Sequence, residues 1–475
     1  MSERSVDLQQ TAIETDKGSV NYSGDEYVAM LEDLQGNIVK SHGRECSTHL
    51  LLEFDTTDVA AVKKWIETVV APMVTSAMAQ QQATAAYHSE GVNGGLFANF
   101  ALSADGYRAL GIAEAEIPDD PSFRKGLKNQ ARGEFALNDP PVSAWEPGFQ
   151  GTIHALLLLA DDNDRVIEAA VKQVEQGLGA VAKVVSAEHG KVLRNSSHEP
   201  IEPFGFADGV SQPLFLAPDI EAARRNGGID RYDPSAPLGL VLLKDPGGGA
   251  GSYGSYFVYR KLSQDVNGFK KQEEALVKAL TLEAGDELAG AYAVGRFRDG
   301  TPVVAQPVDG WTNEPVNFNY DEDVDGVRCP LHAHIRKVNP RGDKVREFGL
   351  PAGEDRSRRI ARRAVPYPPN EHAAPGEGNP GLLFICAQSS IVHQFEFIQA
   401  IWSNYVDFLR PGTGLDTVIG QRQPGKEAIA QKWPKEWGVH HEGTVEFDFS
   451  TWVTMRGGEY FFLPSLSFLR GLSSS

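Results

Sequence analysis

The run Gly151-Thr152-Ile153-His154-Ala155-Leu156-Leu157-Leu158-Leu159-Ala160 constrains this chain more than any other. A segment this short and this apolar reads as a buried strand covered on both faces, not as an edge lying against water. It sits inside a repeating order. Cys46–Phe54 reads as a strand, and Asp58 caps a helical segment reaching about Met78. Leu96–Leu102 is a second strand, followed by a short helix over Ala104–Leu110 capped by Ser103. After the central run a helix is expected from about Asn163 to Gly177, then a strand over Val181–Ala187. Two successive β-α-β units suggest a ferredoxin-like α+β unit. The second half repeats this order in pattern, not in identity. It has a strand at Ser255–Leu262, a helix at Val266–Ala284, a strand at Gly381–Cys386 and an aromatic-rich helix at Ile391–Tyr405. A closing hairpin is expected from Trp452–Met455 and Tyr460–Leu463, turning at Gly457-Gly458. Residues 1–24 read as a disordered lead and Pro118–Pro147 as a long irregular connection. Gly247–Gly251 lacks the spacing of a phosphate loop and reads as a flexible connection.

Bulk properties narrow the function. A chain of 475 residues exceeds one ordinary core, so two domains are expected, with three the alternative. The net charge of −19 argues against nucleic-acid and anionic-lipid partners, both of which need cationic surface. No apolar run reaches the ~18 residues of a membrane span. The N-terminal stretch shows neither an apolar signal region nor an Arg-Arg pair. The three cysteines, Cys46, Cys329 and Cys386, lie far apart, which speaks against a cysteine-type zinc site, a CxxCH heme attachment or a disulfide framework. A reducing cytoplasm is the expected location.

Three stretches carry candidate chemistry. Phe204-Gly205-Phe206-Ala207-Asp208-Gly209-Val210-Ser211-Gln212-Pro213 places one carboxylate on a tight turn walled by aromatic rings. Partial shielding from water there tunes the acid and its access to a ligand. Cys329-Pro330-Leu331-His332-Ala333-His334-Ile335-Arg336-Lys337 offers two histidines at i and i+2, on one face if the segment is a strand. Two histidines alone make an incomplete metal site, whereas one suffices as the axial ligand of a porphyrin iron. Their spacing leaves open which of the two it is. Arg358-Arg359-Ile360-Ala361-Arg362-Arg363-Ala364-Val365-Pro366-Tyr367 packs four arginines into six residues of an acidic protein. It is either a solvated basic face or a site for a buried anion. Among the remaining histidines, His154 reads as a satisfied core residue and His440-His441 as a solvated pair.

Together these stretches resemble the dye-decolorizing peroxidases, heme enzymes of the dimeric α+β-barrel superfamily. Gly205-Phe206-Ala207-Asp208-Gly209 matches the family's GxxDG signature, and His334 matches its iron ligand. Arg362, in Arg-x-x-x-Pro-Tyr, matches its distal arginine. Gly381–Phe384, Gln394–Gln399 and Arg456–Phe462 add further matches. The likeness runs from about Leu34 to Leu472 and looks most like the larger, non-secreted members.

The resemblance implies an α+β fold of two ferredoxin-like halves with antiparallel sheets and heme between them. Residues 25–235 would form one half and 236–475 the other. It implies one non-covalent heme b per chain, held axially by His334. Hydrogen peroxide would be the oxidant, with dyes, phenols or other aromatic donors oxidised by one-electron steps. Asp208 would shuttle the proton and Arg362 would stabilise developing negative charge. Phe206, Leu382 and Phe384 are expected against the cofactor, Arg336 on a propionate, and Glu396 is a candidate partner for the second nitrogen of His334. A monomer or homodimer is expected. A heme carrier or sensor, or an iron-releasing protein on the same fold, is the alternative; a carrier would need the iron ligand but not a distal acid paired with an arginine.

Overall fold

The computed structural model describes residues 5–14, 23–129, 136–179, 181–310, 315–351, 353–369, 378–427, 429–440 and 443–474. The apolar run forms the strand Ala155–Asp161, buried along its whole length. It pairs antiparallel with Cys46–Phe54 on one side and Phe97–Leu102 on the other. Leu157, with no exposed surface, stands opposite both Leu50 and Phe100. Ala182–Lys191 extends this sheet beyond Cys46–Phe54. The later part of the chain builds a second group of strands. Tyr253–Gln264 pairs with Gly381–Gln388 on one edge and Val453–Leu463 on the other, and Val365–Tyr367 adds to Gly381–Gln388. The two groups join through Phe462 opposite Leu102. Every one of these pairings is antiparallel, so the protein is α+β with antiparallel sheets, as the sequence predicts.

The joined sheet curls until its ends meet. Gly190 on one end strand lies against Val365 on the other, and a Cβ on Gly190 would stand 2.4 Å from the Val365 side chain. Helices cover the outer face. Asp164–Leu178 starts where the Asn163 side chain accepts the Arg165 N–H, and it buries Ile167, Ala170, Val174 and Leu178 on one stripe. Asp58 and Ser103 cap the helices Val59–Trp65 and Ala104–Ala109, as their side-chain chemistry predicts. A separate core forms around Phe204, Phe206, Phe269, Tyr292, Tyr320 and Trp433, and a small one around Ile398, Trp402 and Phe408. Among the described residues no helix is long and apolar enough to cross a membrane.

Several expectations change. There is no hairpin at Gly457-Gly458: Val453–Leu463 is one strand with an irregularity between Met455 and Gly457. The glycines serve close approach, since a Cβ on Gly457 would sit 2.1 Å from the Phe149 ring and one on Gly458 2.3 Å from the Tyr259 carbonyl. Gly247–Gly251 opens a fastened turn. Asp245 accepts the Gly247 N–H and the backbone and hydroxyl of Ser465, and Phe468 packs where a Gly247 Cβ would be. Residues 5–14 of the expected disordered lead lie on the body, with Ile13 fully buried and bridged to Leu216. Residues 1–4 and 15–22 of that lead fall outside the described residues, as do 130–135 of the Pro-rich connection. The helix Val266–Ala279 ends before Ala284 because Thr281 turns left-handed at φ 57°.

Because Leu157 packs between two strands at the centre of the sheet, Leu157→Ala is expected to lose about 2–5 kcal/mol of stability. Denaturant unfolding followed by circular dichroism measures this, and a loss below ~1 kcal/mol would contradict that central position.

Candidate active site

A cavity of about 770 Å³ opens beside the barrel, between the strand floor and the two smaller cores. Arg260, Leu262 and Gln264 reach it from one strand, Leu382 and Phe384 from the next, and Met455 from a third. Phe206, Asp208, His334 and Arg362 also line it, so six of the seven residues expected at the site face one space.

The seventh does not. Arg336 has no exposed surface and is absent from the cavity wall. Its guanidinium donates to Asp343, Asp323 and the Cys329 carbonyl and stacks on Tyr320. All its donors are engaged in holding the loops around His334, which leaves none for a propionate. Glu396 is likewise placed elsewhere, accepting from the Ser122 and Tyr460 hydroxyls.

The histidine pair lies not on a strand but at a helix start. His334 is the first residue of His334–Val338, and His332 sits in the preceding turn, buried edge-on against Trp433 4.3 Å away. Only His334 lines the cavity. Its Nδ1 meets Asp416 at 2.9 Å, which leaves Nε2 as the nitrogen available to a ligand. Asp416 is fully buried and also accepts the N–H groups of Val418 and Ile419. Burial alone would raise its pKa, but the His334 imidazole and these hydrogen bonds hold it below the usual carboxylate range. Asp416 lies 82 residues from His334, beyond the reach of any spacing argument.

On the same cavity, Gly205 and Gly209 adopt φ values of 97° and 74°, so the turn carrying Asp208 needs them. Ser211 is also left-handed at φ 65°, and its hydroxyl accepts from Arg341. Arg362 is bound to the same turn, its guanidinium donating to the Val210 carbonyl at 2.8 Å and its N–H to Gln212 at 3.0 Å. The carboxylate and the guanidinium are therefore fixed to one short piece of backbone.

The arginine run splits. Arg358 turns outward to Glu354 and the Phe397 ring, whereas Arg359, Arg362 and Arg363 face the cavity. Arg296 and Arg341, which the sequence reading missed, join them. Among the described residues none of these five forms an ion pair with a carboxylate. Arg296, Arg341 and Arg363 donate to backbone carbonyls such as Gly300, Val316 and Asn37, and Arg359 to Pro234 and Ser235. Burial, with repulsion from Arg341, lowers Arg296 to about 9; burial and Arg362 lower Arg363 to about 10. Such a set calls for an anion. An apolar, planar, dianionic tetrapyrrole with an iron open to Nε2 fits this donor set. His334 would hold the iron, Leu382 and Phe384 would face the ring, and the unpaired arginines would meet its carboxylates. His154 accepts the Phe54 N–H as a satisfied core residue; His440 is over half exposed near Asp325, and His441 lies outside the described residues.

Known proteins share this architecture. A family model described as a DyP dimeric alpha+beta barrel domain matches residues 33–194. The multifunctional dye peroxidase DyP2 of Amycolatopsis is 41% identical over 94% of this chain and 97% of its own. A dye-decolorizing peroxidase of Mycetinis scorodonius is 31% identical over 94% of this chain and 88% of its own. The crystal structure of a DyP-type peroxidase from Anabaena superposes with a TM-score of 0.89 at 43% identity, covering 98% of this chain and 99% of that one.

Because Asp416 ionises more readily folded than unfolded, its contribution is present above the unfolded carboxylate value near ~3.9 and is lost as pH falls through the lower folded value. Asp416→Asn is therefore expected to cost about 1.5–3 kcal/mol at pH 7 and progressively less below pH ~4. Unfolding midpoints across pH measure this; a gap that widens on acidification would contradict it.

Proposed function

Because the chain belongs to the dye-decolorizing peroxidase family, we propose that it is a heme peroxidase that reduces hydrogen peroxide and oxidises dyes, phenols or other aromatic donors by one-electron steps. The observation that carries this reading is one cavity lined by an aspartate-backed imidazole and by Asp208 and Arg362, which are held on the same turn. One heme b per chain, held without covalent attachment, is the proposed cofactor. Bound heme supplies a redox-active iron that takes two oxidising equivalents from peroxide and passes them on singly.

The chain's own residues do the rest. His334 offers Nε2 to the iron, while Asp416 fixes the tautomer and orientation of the ring by holding Nδ1 and raises its basicity. Asp208 takes the proton from the near oxygen of peroxide and returns it to the departing one, so that water leaves. Arg362 stabilises the negative charge that develops as that oxygen departs. Phe206 limits water beside the carboxylate, with Arg298 stacked 4.9 Å from its ring centroid. The three cysteines are unpaired and buried, in keeping with a reducing, cytoplasmic location.

Heme supplementation is expected to give a Soret band that shifts on adding peroxide; no band at all would defeat the proposal. His334→Ala is expected to abolish that band and His332→Ala to retain it. Asp208→Asn and Arg362→Leu are expected to keep heme but slow peroxide cleavage by about 10²–10³-fold each. Because aspartate ionises at lower pH than histidine, dye oxidation is expected to peak below neutrality. A flat profile from about pH 3 to 8 would count against an aspartate shuttle.

A further inference from the structure

The turn that presents Asp208 is itself shaped by a second carboxylate, six residues upstream. Glu202 accepts the Phe204 N–H on Oε2 at 2.9 Å and the Phe206 N–H on Oε1 at 3.0 Å. Gln264, from the strand floor, donates its Nε2 to Oε2 at 2.6 Å. The main chain of Glu202 adds two bonds to the same loop: its carbonyl accepts the Gly205 N–H at 2.8 Å, and its N–H donates to Phe206 at 3.0 Å. Beyond it, Ala207 donates to Arg298 and Asp208 to Pro200, so the backbone on either side of Ala207 is tied down. Glu202 lines the same cavity as Asp208.

The choice of an acid here needs explaining. Glu202 forms no ion pair among the described residues, and burial holds its carboxyl above the usual range against the pull of its three hydrogen bonds. A glutamine of equal length would accept one of the two backbone N–H groups and set its own NH₂ against the other. Only a carboxylate accepts on both arms, and both arms are used.

The geometry points to Glu202 as a positioning residue for Asp208, its two-armed grip on the Phe204 and Phe206 N–H groups setting where the catalytic carboxylate stands in the cavity. This rests on the reading of Asp208 as proton carrier. A base displaced by about an ångström loses up to ~10²-fold in proton transfer while the fold persists.

The test uses purified holoenzyme and two readouts, peroxide cleavage and the association of hydrogen cyanide. Hydrogen cyanide surrenders its proton to the distal base as it binds, so its rate reports that base without turnover. Four proteins are compared at equal heme content: wild type, Asp208→Asn, Glu202→Gln and the double variant. Glu202→Gln is expected to slow cyanide association by about tenfold to a hundredfold and to add nothing in the Asp208→Asn background. An unchanged rate in Glu202→Gln, or an equal slowing in both backgrounds, overturns the inference while leaving the role of Asp208 standing. If Asp208→Asn itself leaves both rates unchanged, the shuttle reading fails and takes this inference with it. Should Glu202→Gln not retain heme, Glu202→Asp, which keeps both acceptor oxygens on a shorter arm, is compared instead, again with no added effect expected beside Asp208→Asn.

Discussion

Six guanidinium groups line one cavity, and five of them, all but the Asp139-paired Arg260, form no ion pair with a carboxylate among the described residues; they set the terms for the rest of this molecule. Taking a charge out of water costs several kcal/mol unless something compensates it. Here backbone carbonyls supply part of the compensation, and they do so at loop positions the chain must hold still to offer. Arg341 grips Val316 and Phe318, Arg359 grips Pro234 and Ser235, and Arg363 grips Asn37 and Ile38. Connections that would otherwise be loose are thereby stitched to the cavity rim. The remaining electrostatic demand is for an anion inside the cavity.

The fold was legible where local chemistry decides it. The Ala155–Asp161 strand announced itself because a sheet buried on both faces permits only apolar residues. Asp58, Ser103 and Asn163 announced helix starts because their side chains satisfy orphan N–H groups. Legibility failed where glycine had two possible reasons. Gly457-Gly458 reads as a turn in sequence, but the reason for it is the ring of Phe149, some 300 residues away. The lead failed for a similar reason. Nothing local makes a polar segment ordered, and Ile13 is ordered by finding Leu216.

The site divides along the same line. Asp208 and Arg362 were readable because each stands in a compact motif whose backbone carries it into the cavity. Asp416 was not, because its role is defined by a contact across 82 residues. Arg336 shows the converse error. Proximity in sequence to His334 suggested the cofactor, but a helix turns successive side chains by about 100° and sends the two in different directions. Arg336 then anchors the wall from behind through Asp323 and Asp343. Sequence neighbours share an element but not a facing, and the facing decides function.

His334 and Asp208, which line the same cavity, are supported by different means. Behind His334 stands a buried side chain, Asp416, itself fixed by two backbone N–H groups. Behind Asp208 stands the backbone itself, bent through two left-handed glycines and clasped by Glu202. A side-chain anchor adjusts the electronic character of the ligand it holds and tolerates small shifts of main chain. A clasped turn does the opposite, fixing the location of the carboxylate it presents. In the proposed peroxidase, holding the metal would need the first property and placing a proton carrier the second. One cavity contains both, and the Arg341 guanidinium, three residues past the helix that His334 opens, donates to the Ser211 hydroxyl and ties the two segments to each other.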